Sequence, residues 1–160
     1  MDEIIKINET ESYLDKYIND SNLQTIAAEK LSKNDIVILP AKYSENEYYF
    51  AQETIDFVKF CRSKSNTGMD ILTDGDIQIR SLHSFDIWLP IIFIASNILL
   101  PAVINLVTSF IYDKMKGREH EKVKVNVEIV IKNGKKEKQI HYDGDAESFK
   151  TLMDKIDLNI

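Results

Sequence analysis

Residues 87–112 read IWLPIIFIASNILLPAVINLVTSFIY, and they contain no Asp, Glu, Lys, Arg or His. Charge brackets the stretch, with Asp86 before it and Asp113-Lys114 after it. As one helix it would rise about 39 Å, more than the roughly 30 Å hydrocarbon core of a bilayer. A core helix of a soluble protein is usually shorter and carries charge on its outer face. Trp88 and Tyr112 stand near the two ends, where interfacial aromatic residues are common. The stretch is therefore expected to form a long apolar helix that spans a membrane or re-enters it.

Four residues argue against a plain anchor. Pro101 falls mid-segment, where it removes a backbone hydrogen bond and is expected to kink the helix. Asn97, Pro101, Asn105 and Thr108 recur at helical spacing, so they share one face. A buried amide without a partner is costly in lipid. The face is expected to meet another helix in an oligomer, or to line a pore, with helix contact preferred. Alternatively, Asn97 satisfies the carbonyls that Pro101 frees.

Lys114, Lys116 and Arg118 follow the stretch closely and would sit at the membrane interface. The positive-inside rule then places the C-terminus in the cytoplasm, with the helix in the inner membrane. That orientation leaves a folded N-terminal domain outside, although MDEIIKINETESY has no features of a signal peptide. Three arrangements resolve the conflict. The domain is translocated anyway; the segment is re-entrant, bent at Pro101; or the segment is buried in a soluble, cytoplasmic oligomer.

The flanking sequences predict an α+β protein. Residues 1–86 carry 9 Lys and Arg against 16 Asp and Glu, and read as a small acidic α/β domain. Residues 9–32 have helical spacing, with Asn8 and Glu11 as a capping box. DIVILP, residues 35–40, reads as a buried strand; residues 45–62 read as a helix; residues 69–82 read as a hairpin turning at Asp74-Gly75. Residues 113–160 are a basic linker and a ββα unit. There Val123, Val125, Val127, Ile129 and Ile131 alternate, Asn133-Gly134 marks the turn, and Phe149, Leu152, Met153 and Ile156 form an apolar helical face.

No constellation for catalysis stands out. His83, His120 and His141 lack metal-ligand spacing, and the single cysteine, Cys61, sits on an apolar helical face. No phosphate-binding or nucleophile-elbow motif occurs. Two Asp-Gly-Asp triplets read as turns rather than calcium loops. Carboxylates at Asp74, Asp76 and Asp86 have no accompanying base or nucleophile. Hence no enzyme, cofactor or metal is expected, and a net charge of −6 disfavours nucleic acid.

The apolar segment, the basic linker after Ile111-Tyr112-Asp113-Lys114, the strand hairpin and the closing helix follow in that order over the last 75 or so residues. This arrangement resembles that of small bacterial conflict-system proteins, the effector-associated constant components, although their glycine-rich apolar core is missing here. The resemblance implies a membrane-proximal part of a bacterial immunity or toxin system and assigns no catalytic residue. The expected protein is thus a small homo-oligomeric, lipid-associated antiphage defence effector, with a protein partner or sensor at its soluble ends. The alternative is a soluble oligomeric interaction or scaffold module whose apolar helix is buried in an interface.

Overall fold

A computed structural model describes residues 5–10, 24–44, 47–66, 68–73, 78–79, 86–118, 120–133 and 136–156. Among these described residues, eight strands are β1 (Ile5–Thr10), β2 (Ile36–Leu39), β3 (Ala41–Ser44), β4 (Glu47–Tyr49), β5 (Met69–Ile71), β6 (Ile87–Ile94), β7 (Lys124–Asn133) and β8 (Lys136–Asp145). Four helices are α1 (Gln24–Lys33), α2 (Thr54–Lys64), α3 (Leu100–Met115) and α4 (Phe149–Asp154), with a 3-10 turn at Asn97–Leu99 leading into α3. The α+β class, the long apolar helix and the C-terminal strand-strand-helix order all agree with the sequence reading.

Six strands form one mixed sheet in the order β1-β8-β7-β6-β2-β5, and β3 and β4 make a separate hairpin. Residues before, within and after the apolar stretch all contribute strands to this sheet. At its centre β6 pairs parallel with β7 and antiparallel with β2. The β7–β8 register runs from Lys124↔Asp145 to Asn133↔Lys136, so Asn133 is the last paired residue of β7 rather than the first residue of the expected Asn133-Gly134 turn.

The apolar stretch is where sequence and structure part. Ile87–Ile94 is strand, and the long helix begins only at the Asn97–Leu99 turn. Strand wins because β6 is enclosed on both faces: Ile87, Leu89, Ile92 and Ile94 belong to the main core, while Phe93, on the other face, is only 3% exposed. A doubly buried strand is continuously apolar, which is also how a membrane segment reads. Pro90 fits because β6 carries one extra residue against β7 between Trp88 and Ile91, and β2 pairs only from Ile91 onward. Pro101 lies in the first turn of α3, where the N–H it lacks would have no intrahelical partner. The expected kink there has no cause. Gly117, at φ 82°, follows the helix end in a conformation that suits glycine.

α3 covers the sheet. Leu100, Val103, Ile104, Val107, Phe110 and Ile111 form its buried face. They join Phe57, Val58 and Cys61 of α2, Phe149 and Met153 of α4, and the inward residues of β2, β6, β7 and β8. The Phe110 ring meets Phe57 edge-on at 5.3 Å and Phe60 at 5.5 Å, and Tyr142 meets Phe149 at 5.0 Å.

Three other expectations change. Residues 5–10 are an edge strand on β8, which includes the start of the predicted first helix, while Gln24–Lys33 is helical as expected; residues 11–23 lie outside the described residues. Residues 47–49 are strand, so the second helix starts at Thr54: the chain first turns back through the β3–β4 hairpin. Met69–Ile71 pairs parallel with β2, and the Asp74-Gly75 turn lies outside the described residues.

Phe110→Ala is expected to lower stability by about 3–5 kcal/mol, against a change within about 0.5 kcal/mol for Asn97→Ala in the exposed turn before the helix. Denaturant titration of both variants checks this; equal losses would mean that α3 is not seated as described. Charge placed at Ile94, 0% exposed, or Leu100, 2% exposed, is expected to unfold the protein, so such variants do not report on membrane insertion.

Candidate functional site

The sequence singled out the α3 region, and the structure gives that region two faces. Inward residues form the roof of the core. Outward residues are Pro101, Ala102, Asn105, Ser109 and Tyr112, all exposed, continuing back to Asn97 and Ile98 in the 3-10 turn. No charge occurs between Asn97 and Tyr112. Ile98 is 86% exposed and Tyr112 73%, whereas the other exposed large apolar side chains among the described residues, Ile7, Ile55 and Ile79, lie between 37% and 42%.

Grooves flank this ridge. One of about 720 Å³ runs between α2 and α3, walled by Phe60, Lys64, Leu106 and Asp113. Another of about 270 Å³ lies between α3 and α4, lined by Ile111, Met115, Phe149 and Lys150. Lys150 Nζ donates to Asn105 Oδ1 at 3.0 Å across the second.

The predicted helix-contact stripe is partly assembled. Asn97, Pro101 and Asn105 share the outer ridge; Thr108 is half-buried at its side, with Oγ1 donating to the Ile104 carbonyl at 2.7 Å. That local bond removes the need for an interhelical partner. The predicted interfacial residues separate. Tyr112 stays exposed, but Trp88 is in the middle of the sheet, where its backbone N–H donates to Glu53 Oε2 at 3.4 Å. Lys114 Nζ lies 3.1 Å from Asp56, Lys116 Nζ 3.5 Å from Asp113, and Arg118 Nε 2.7 Å from Glu121. Each cation thus has a carboxylate beside it, and the face they surround is close to neutral. The significance of Ile98 escaped the sequence reading, yet the spacing 98-102-105-109-112 is a heptad-like 4-3-4-3 pattern that marks it.

On the opposite face of the sheet, Trp88, Ile91, Asn126, Glu128 and His141 line a smaller hollow of about 220 Å³ beside the β3–β4 hairpin. His141 Nε2 and Asn126 Oδ1 are 3.3 Å apart. Among the described residues no three His, Cys, Asp or Glu side chains converge as metal ligands would.

Two titratable groups have environments that fix their behaviour. Burial pushes the Cys61 thiol up to about 12, so at neutral pH it is protonated and poorly nucleophilic. Burial also raises the Glu53 carboxyl, against the opposing pull of the Trp88 N–H and Lys114. A raised carboxyl favours the fold at low pH and loses that contribution as pH rises through its folded value. Glu53→Gln keeps an acceptor for Trp88. It is expected to be more stable than the native protein at pH 7, with the advantage fading as pH falls toward the ordinary value of 4.5; unfolding curves across that range check it. Iodoacetamide at neutral pH is expected to label Cys61 only after denaturation, and rapid labelling of the native protein would contradict its burial.

No protein-family model matches the chain, and neither a curated protein nor a solved structure is similar to it.

Proposed function

We propose that this protein is an interaction module that works by contact rather than catalysis, using the outer ridge of α3 as its docking surface. The supporting observation is the exposure of Ile98 and Tyr112 at the two ends of an uncharged helical face. Joined by the apolar walls of the adjoining grooves, Phe60 and Leu106 on one side and Ile111 and Met115 on the other, these side chains make the kind of surface that meets a partner. The inner half of α3 is already occupied by its own sheet, so only the outer half is free for contact. This reading keeps the oligomeric, soluble alternative of the sequence and relocates its interface from the whole apolar helix to one side of it.

A second reading retains a membrane-acting defence effector. Asn97–Met115, 19 residues, is long and apolar enough to cross a bilayer, and a third of it is buried inside the protein. Insertion would require α3 to leave the sheet. Re-exposing even Ile92, Ile94, Ile129 and Ile131 costs about 6–12 kcal/mol, comparable with the whole stability of an ordinary domain. A trigger would have to supply that energy. Retention in a carbonate-washed membrane pellet would favour this reading over the first.

Hydroxyl-radical footprinting tests the docking ridge without presuming its occupant. Tyr112 is expected to be modified at least fivefold less in intact cells than in dilute purified protein, relative to an exposed reference residue elsewhere. Equal modification in both would overturn the proposal.

A further inference from the structure

Resting on the α3 ridge as a docking surface, we infer that its occupant is a second copy of this chain, lying antiparallel along α3 with Asn105 on the two-fold axis. The inference comes from a symmetry in the sequence that only the structure makes meaningful. Ile98 lies seven residues before Asn105 and Tyr112 seven residues after it. Seven residues turn the helix to within about 20° of the same direction, so all three project from one side.

A two-fold axis through Asn105 therefore brings Ile98 of each copy over Tyr112 of the other. The two most exposed large apolar side chains among the described residues cover each other twice. Between them Ala102 falls near Ser109 of the opposite helix, and neither side chain holds the helices apart. The flanking grooves, about 720 Å³ and 270 Å³, leave room on both sides for the facing ridge. Asn105 meets its own symmetry mate: its Oδ1 accepts from Lys150 and keeps a second lone pair for the mate's amide N–H, and a paired amide at such a position fixes register and orientation.

Charge favours this face over the rest of the surface. Each chain carries a net −6, so two copies repel when they approach at random. Around the ridge Lys114 lies beside Asp56 and Lys116 beside Asp113, and the Lys150 ammonium that reaches Asn105 also has Asp154 beside it at 3.5 Å, so this cation touching the ridge is balanced by a carboxylate. Antiparallel alignment also sets the positive end of each helix dipole against the negative end of the other.

Area is adequate. Two buried tyrosines contribute about 300–500 Å², a large part of the roughly 1,000 Å² that a specific interface requires. Ile98, Pro101, Ala102 and Ser109 of both copies supply the rest.

Cysteine cross-linking in the full chain tests the geometry, with buried Cys61 replaced by Ala or Ser. Under mild oxidation Asn105→Cys is expected to give a disulfide-linked dimer. Ile98→Cys and Tyr112→Cys are each expected to form no intermolecular disulfide alone and to cross-link when mixed. Light scattering of the native protein should give twice the 18.5 kDa chain mass, and Tyr112→Asp should weaken that association at least tenfold. Self-linking of Ile98→Cys or of Tyr112→Cys would mean a parallel arrangement and would overturn the inference. So would a monomeric native protein at concentrations of tens of micromolar. If the native chain is monomeric while Tyr112 remains protected in cells, the second copy is excluded but the docking ridge stands. If Tyr112 is unprotected, both fall.

Discussion

Everything in this fold depends on β6 being buried on both faces. An eight-residue strand between β2 and β7 has no side that can tolerate water, so each face needs a cover. Its inward face receives α2 and α3, and its other face shares Phe93 with Val37 and Val130, all three buried. The crossover from β6 to its parallel neighbour β7 is α3 itself, so the helix that roofs the core also sets the strand order. Loss of the α3 contacts would remove both functions together.

That dual role accounts for the uneven sides of α3. Its inner residues are large and branched because they fill the space above a sheet of Ile and Val. Its outer residues are small or neutral, apart from Ile98 and Tyr112, and nothing in the core requires those two to be apolar. Their exposure costs nothing to the packing and gives nothing to it, which directs attention to contacts outside the chain.

Much of this was legible in the residues. Strict alternation from Val123 to Ile131 and the nearby Asn133-Gly134 marked the existence of the β7–β8 hairpin, though its strands run further, to Asn133 and Asp145, and DIVILP marked β2. The helix over Asn97–Tyr112 and its polar stripe were also readable from spacing. What could not be read was the break at Ala95-Ser96. A strand buried on both faces and an apolar helix have the same composition, and Ile87–Ile94 has no period to separate them. Pro90 and Pro101 were the available signals. Read as a bulge and a helix start, they divide the stretch where the structure does. Lys116 and Arg118 have their carboxylates three residues away, at Asp113 and Glu121, but the partner of Lys114 was invisible for another reason: Asp56 is 58 residues distant and reaches it only through the fold.

The pairing of β1 with β8 joins positions far apart in the chain, with Ile5 opposite Tyr142. During synthesis the sheet therefore stays incomplete until β8 has emerged. For the 30 residues that separate Met115 from Asp145, α3 is outside the ribosome without β7 and β8, two of the strands that it roofs. At about 5–20 residues per second this lasts roughly 2–6 s. In that interval an apolar helix, charged only at Asp113 and Lys114 in its last turn, is presented to whatever binds nascent chains, and its fate is decided by a race between capture and the arrival of its own last two strands.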